Sequence, residues 1–275
     1  MYVEYWNFRQ PPFRNIADSR FWYASETHER CLQSIQQSVQ MRHHGGRLTG
    51  PRGMGKTLLL ARLGDFVRTL RGSRFALIDY LPGPPRDLAR EVLSLLGLGE
   101  DAARNPDCQE TLGLLRQKAG RIGHTVLAID EAQDLTDPDT QRFLHRLTNI
   151  PLPEREPEGV SPAITLILAT ATGTAVPSPD PPSPLMSALE AEWRLQPLTP
   201  EQTLEYVQCR VRAAGGDLWV FDRDAIDLLA ATGGIPGRIN QACDRALTLG
   251  HAANARVISE TLMQEAIAQT GMAVH

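Results

Sequence analysis

Residues 50–57 read Gly50-Pro51-Arg52-Gly53-Met54-Gly55-Lys56-Thr57, a complete GxxxxGK[ST] sequence. Its flanks decide how it is read. Arg47-Leu48-Thr49 leads in as a strand, and apolar residues at helical spacing run on from about 56 to 70. A glycine-rich turn between a strand and a helix is the setting in which this spacing cradles phosphate. Glycines let backbone amides point inward around phosphate oxygens, and the helix N-terminus adds the positive end of its dipole. Lys56 is long enough to reach β- and γ-phosphates, and the Thr57 hydroxyl suits magnesium. Gly50, Pro51, Arg52, Gly53, Met54, Gly55, Lys56, Thr57 and Leu58 are therefore the expected nucleotide-holding residues.

About 75 residues further on stands Leu127-Ala128-Ile129-Asp130-Glu131-Ala132. The apolar run over 125–129 suits a strand buried on both faces, and it delivers two carboxylates to the strand's C-terminal edge, where α/β sheets bind ligands. Asp130 is expected in the magnesium shell with Thr57. Glu131 is the candidate that orients and polarises the water attacking a γ-phosphate. Gln133 and Asp134 follow closely, but acidic residues in a first helical turn commonly do no more than compensate the dipole.

Strands expected at 75–79 and 164–169 alternate with helices at 87–98, 108–121 and 139–149, and a first helix covers 25–41 with Ser25 as its N-cap. Strands separated by helices of this length imply an α/β fold with a mostly parallel sheet flanked by helices. Segments 151–163 and 174–185 together hold nine of the chain's 20 prolines, which marks them as loops at one edge of the site or as surface connectors, and neither as core strand nor helix. After Leu198 the pattern is all helical: Thr199-Pro200-Glu201-Gln202 is a capping box, and Asp222 and Ser259 cap later helices. The expected domains are an aromatic N-terminal strap with the start of the first helix (1–36), a nucleotide-binding domain (37–197) and a helical domain (198–275). The strap holds Tyr2, Tyr5, Trp6, Phe8, Phe13, Phe21, Trp22 and Tyr23 around Pro11-Pro12. It reads as an extended segment that packs onto something; a hydrophobic strap and a nucleotide-facing surface both stay open.

Composition narrows the class. The 275 residues are 42% hydrophobic and 22% charged, as in a globular protein with a full core. The net charge of −4 hides a split: residues 1–75 carry 12 basic and five acidic side chains, the remainder 16 and 27. No apolar run approaches the roughly 18–20 residues that span a bilayer, and residues 1–15 lack an apolar signal core. Cys31, Cys108, Cys209 and Cys243 lie far apart without a CxxC pair, which fits buried thiols in a reducing compartment. A cytoplasmic location is expected.

The two motifs together resemble AAA+ ATPases, and nearly the whole chain resembles the ExeA/GspA-like branch, named for the type II secretion pathway. The opening MYVEYWNF…PPF…ADSRFWYASETHE is similar to that family's aromatic start. Asp130-Glu131-Ala132-Gln133 matches its DEAQ box and Leu147-Thr148-Asn149 its LxN helix end. Arg194-Leu195-Gln196-Pro197-Leu198 resembles its xLxPL lead into the lid, and Gly234-Ile235-Pro236-Gly237-Arg238-Ile239-Asn240 with Cys243-Asp244-Arg245-Ala246-Leu247 resembles GIPRxIN…CDxAL. The resemblance implies a P-loop AAA+ core followed by an all-helical lid, with ATP and Mg2+ as ligands and a homo-oligomeric assembly. It makes Arg238 the sensor-two arginine, contacting the γ-phosphate, and places sensor one on Thr170 or Thr172, with Thr170 preferred. Lys56, Glu131, Thr170 and Arg238 are then the catalytic set.

Two departures stand out. The family arginine usually follows the proline directly, where this chain has Gly237, so Arg238 is displaced by one position, about 100° around a helix. Arg194 is the only arginine in 187–194, where relatives carry residues suited to act as a finger on a neighbouring subunit. Such a finger supplies roughly 10³–10⁵ in rate. ExeA-type proteins usually continue beyond the lid into a membrane span and a periplasmic part, whereas His275 here follows directly on the fourth lid helix. The leading expectation is an ATPase that drives conformational change in a secretion or pilus partner. The alternatives are a DNA-binding ATPase related to MuB/TniB-type transposition regulators, using Arg42, His43, His44 and Arg47 against phosphate or acting with a transposase, and a slow-hydrolysing or non-hydrolysing ATP-dependent scaffold.

Overall fold

The structure, a computed structural model, describes residues 2–153, 161–172, 183–189 and 191–271. Along the chain, α1 (Tyr2–Tyr5) and α2 (Glu26–Gln40) precede β1 (Gly45–Gly50), and α3 (Lys56–Thr69) leads to β2 (Ser73–Asp79). Next come α4 (Pro85–Leu95), α5 (Gly99–Ala103), α6 (Cys108–Ile122) and β3 (His124–Asp130), then α7 (Pro138–Thr148) and β4 (Ile164–Ala171). After α8 (Pro184–Ala188) and β5 (Ala191–Arg194) the described chain continues as helices α9 (Pro200–Ala213), α10 (Arg223–Ala230), α11 (Pro236–Ala252) and α12 (Glu260–Gln269). It divides into two compact units: Met1–Glu29, Pro51–Leu58 and Leu195–His275 form a helical unit, and Arg30–Gly50 with Leu59–Arg194 form a sheet unit.

In the sheet unit the strand order is β2-β3-β4-β1-β5 with every pairing parallel. Every residue of β3 is buried, as a strand covered by helices on both faces requires. Alternate residues part to the two faces. Ile78, Leu127, Ile129, Leu166 and Leu168 join one core with side chains of α4, α6 and α7. On the other face Phe75 packs so closely under α3 that a Cβ at Gly64 would lie 2.7 Å from its ring. Register pairs Thr49 with Thr170 and Ile129 with Leu168, so β1, β3 and β4 end at one edge. At the opposite end of β3, His124 is buried with Nε2 3.0 Å from Thr165 Oγ1, and burial pushes its pKa down to about 4.

The helical unit builds its core around the capped helices. Thr199 and Gln202 form the capping box that starts α9, and Asp222 and Ser259 cap α10 and α12. Val3, Trp6, Phe8, Phe13 and Phe21 are buried in that core with Tyr206, Val211, Phe221 and Leu247. Trp6 Nε1 donates to the Leu247 carbonyl at 3.0 Å, and Phe13 meets Phe221 edge to face. Arg210, only 2% exposed, ties the segment down. It donates to the carbonyls of Pro12 and Arg14, each at 2.7 Å, with its guanidinium 4.3 Å over the Phe21 ring.

Three expectations need correction. The N-terminal segment is not extended throughout: residues 2–5 make a helical turn, and Ser19–Phe21 form a 3-10 turn whose Asp18 side chain accepts from Arg20 N–H. The helix expected at 87–98 ends earlier, at Leu95, where Leu96–Gly97 closes α4, and a further short helix, α5, opens at Gly99 beyond the expected range. The proline-rich segment 174–185 runs into α8, which Pro184 starts at the first helical position, where its missing N–H costs nothing. Most of both proline segments, 154–160 and 173–182, lies outside the described residues; the described ends of the first are joined by an antiparallel bridge between Pro151 and Pro162. Strand β5 was also not anticipated, since four residues are too few to show a period.

Two outcomes follow. His124 is neutral when folded, whereas an unfolded histidine titrates near 6.5. Protonation therefore favours the unfolded chain as pH falls from about 6.5 toward 4, and stability drops through that window by on the order of 2 kcal/mol. Denaturant titrations at about pH 7 and about pH 5 check this, with His124→Gln removing most of the difference. Arg210→Met leaves two carbonyls without their donor and costs about 3 kcal/mol, with faster proteolysis at the N-terminal segment.

Candidate functional site

The glycine loop takes the backbone its residues were chosen for. Gly53 and Gly55 lie at φ +82° and +88°, a region that favours glycine, and α3 starts at Lys56. Lys56 is buried, with Nζ 3.1 Å from the Pro51 carbonyl, while Thr57 is exposed in the first turn. Met54 is fully buried and its carbonyl is held by His28, whose Nε2 lies 2.8 Å away. A carbonyl only accepts, so Nε2 carries the proton and Nδ1 accepts from the Ser25 hydroxyl at 2.7 Å. Burial lowers the His28 pKa and keeps this tautomer neutral. Ser25 also accepts from the His28 backbone N–H as the expected cap of α2. The sequence marks Ser25 only as the cap of the first helix; the hold of Ser25 and His28 on the loop is not legible there.

Gly237 explains the displaced arginine. Its N–H donates to the Gly53 carbonyl at 2.8 Å, and a Cβ at 237 would sit 2.8 Å from Gly53 Cα. No side chain fits where the first turn of α11 touches the loop, so the arginine stands at 238, where it is exposed. Asn15 continues the contact: it donates to the Gly237 carbonyl at 3.3 Å and accepts from Asn240, which in turn accepts from Tyr206. The helical unit thus gathers Lys56, Thr57 and the start of α11 with Arg238.

The sheet unit gathers the remaining predicted residues. Asp130 ends β3, is buried, and accepts from the Glu131 N–H at 3.0 Å. Glu131 is a non-glycine residue in the left-handed region, φ 51° and ψ 33°, the kind of backbone strain that collects at functional positions. Thr170 is half-buried beside Thr49 in β1, and Thr172, the other sensor-one candidate, is exposed and donates its N–H to the Gly50 carbonyl at 3.0 Å. Gln133, left aside in the sequence, donates to Glu131 Oε2 at 2.6 Å and accepts from the Ala171 N–H at 3.0 Å. The Thr57 hydroxyl and the Asp130 carboxylate are hard oxygen donors, a chemistry that fits Mg2+.

Arg194 ends β5, exposed and paired with Thr49. Part of the basic stretch 42–47 is engaged within the unit: His44 Nδ1 lies 2.9 Å from the Thr148 carbonyl, and Arg47, in β1, pairs with Glu192 at 3.4 Å. A cavity of about 620 Å³ that no motif marked opens beyond β2, lined by Asp79, Tyr80, Leu88 and Glu91. Burial and the neighbouring Asp79 raise the Glu91 pKa.

A strand-to-helix glycine loop, an acidic pair at the end of β3 in a parallel sheet, and a capped helical unit define a P-loop ATPase class. The chain belongs to the AAA domain family, which matches residues 25–173. The particular relatives agree. General secretion pathway protein A of Aeromonas hydrophila is 27% identical over 263 residues, covering 92% of this chain and 45% of that protein. The chain therefore spans under half of that relative's length. The Aeropyrum pernix ORC1 protein, solved in complex with DNA, superposes with TM-score 0.69 at 20% identity over 96% of this chain and 69% of that one. Domain III of the Thermotoga maritima replication initiation protein DnaA gives 0.61 at 14% identity over 94% and 98%. At these identities the two structures share the fold. No helix among the described residues is long and apolar enough to cross a membrane.

Gly237→Ala is expected to push α11 from the loop, lowering stability by about 1–3 kcal/mol and weakening nucleotide binding. Urea denaturation and titration with a fluorescent ATP analogue check both effects; unchanged values would show that the contact is dispensable.

Proposed function

We propose that the protein binds Mg-ATP on residues 50–58 and hydrolyses it, using the resulting conformational change to act on a partner assembly. The observation that carries the reading is the loop itself, with Gly53 and Gly55 in left-handed backbone immediately before α3. In this scheme Lys56 exchanges its bond to the Pro51 carbonyl for β- and γ-phosphate oxygens, and the amides of Gly53 to Thr57 surround the rest. Thr57 and Asp130 hold the magnesium ion, which when bound offsets phosphate charge. Glu131 accepts a proton from the attacking water, Thr170 orients that water, and Arg238 meets the γ-phosphate from α11. Only ATP offers a γ-phosphate to all of them, so its hydrolysis alters the contacts of α11 with the loop.

The domain division at 1–36, 37–197 and 198–275, a cytoplasmic location and a homo-oligomeric state belong to the same proposal. A secretion or pilus partner is supported by the likeness to general secretion pathway protein A.

Phosphate-release assays with the purified chain test the activity. Lys56→Ala is expected to weaken ATP binding at least tenfold, and Glu131→Gln to retain binding while turnover falls by roughly 10²–10⁴. Retained ATP affinity in Lys56→Ala would sink the loop assignment. Turnover untouched by Glu131→Gln would remove its role as base.

A further inference from the structure

Glu131 does not stand alone at the end of β3. Its Oε2 accepts from Gln133 Nε2 at 2.6 Å, and the same nitrogen lies 3.5 Å from Asp134 Oδ2. The amide oxygen of Gln133 accepts from the Ala171 N–H at 3.0 Å. The orientation of the amide follows from chemistry: a backbone N–H only donates, so the oxygen faces Ala171 and the NH2 faces the carboxylates. The Ala171 N–H belongs to the same peptide group as the Thr170 carbonyl, and one residue on, the Thr172 N–H donates to the Gly50 carbonyl, where the glycine loop begins. A continuous path therefore runs from Gly50 through the end of β4 and the Gln133 side chain to the Glu131 carboxylate. The 3-10 turn Ala132–Asp134, entered through the left-handed backbone of Glu131, places Gln133 for this bridge.

We propose that Gln133 is a positioning residue that sets the Glu131 carboxylate by tying it to the end of β4, so that movement of β4 at Thr170 is transmitted to the group that polarises water. The assignment rests on the ATPase reading above. A side chain with an acceptor at one end and a donor at the other is needed, and asparagine, one methylene shorter, does not span the gap. A displacement of about 1 Å in a general base costs on the order of 10²-fold in rate.

The test separates the two ends of the bridge. Gln133→Glu keeps an acceptor for Ala171 but loses the donor to Glu131; Gln133→Leu loses both. Steady-state phosphate release and ATP titration are measured for the full chain, the two variants, Lys56→Ala and Glu131→Gln, with circular dichroism as the folding check. The expected result is kcat lowered about 10–100-fold in both Gln133 variants while ATP affinity stays within about twofold. A kcat equal to or above wild type in either variant, or a loss of ATP affinity as large as the loss of rate, overturns the assignment. Turnover that needs Lys56 and Glu131 yet tolerates Gln133→Leu rejects the role of Gln133 alone. No turnover in the wild-type chain rejects the ATPase reading and the assignment together.

Discussion

Between β1 and β4 the parallel ladder pairs Thr49 with Thr170 and Gly50 with Ala171, and between β4 and β3 it pairs Leu168 with Ile129. Side chains alternate along a strand, so a slip of one residue would carry Leu166 and Leu168 to the opposite face. Packing on both faces therefore holds the register. The register in turn decides which chemical groups share the sheet's C-terminal edge: the start of the glycine loop, the threonine at the end of β4, and Asp130 with Glu131. Gln133 can bridge Glu131 and Ala171 only because the ladder brings β3 and β4 to an end side by side.

A second constraint governs the helical unit. An aromatic segment at the start of the chain supplies Trp6, Phe8, Phe13 and Phe21 to a core made mostly by α9 to α12 and the segments that join them. Burying such rings is favourable, but the backbone that carries them brings carbonyls into an apolar setting, where an unmet acceptor is costly. Arg210 answers for Pro12 and Arg14 at once, and its flat guanidinium lies over Phe21 at the same time. Lysine offers a point charge in place of this fork. The open choice between a hydrophobic strap and a nucleotide-facing surface is thereby settled for these four rings, which are buried in the helical core.

Legibility in the sequence followed the length and periodicity of each element. β3, β4 and α9 to α12 could be placed because their apolar runs or caps are long enough to show a period or a start signal. The GxxxxGKT spacing and the Asp130-Glu131 pair were readable because their chemistry depends on neighbours in the chain. β5 and α5 were not, being four and five residues long. Gln133 looked like an ordinary side chain beside an acidic helix start. Its partner at Ala171 is 38 residues away, and no local pattern records that distance.

Gly237 shows the division most clearly. The departure from the family pattern was plain in the sequence, yet it could be read only as an arginine out of place. In the fold, the N–H of residue 237 bonds to the Gly53 carbonyl at a separation that excludes a Cβ, and the arginine occupies the next position. The sequence by itself determined the α/β class, the glycine loop between strand and helix, the acidic pair and the capped helices, because each is written in residues close to one another in the chain. The hold of His28 on Met54, the seat of Gly237 on Gly53 and the bridge through Gln133 were decided only by tertiary structure, because each depends on segments that the sheet register and the helical core bring together from distant parts of the chain.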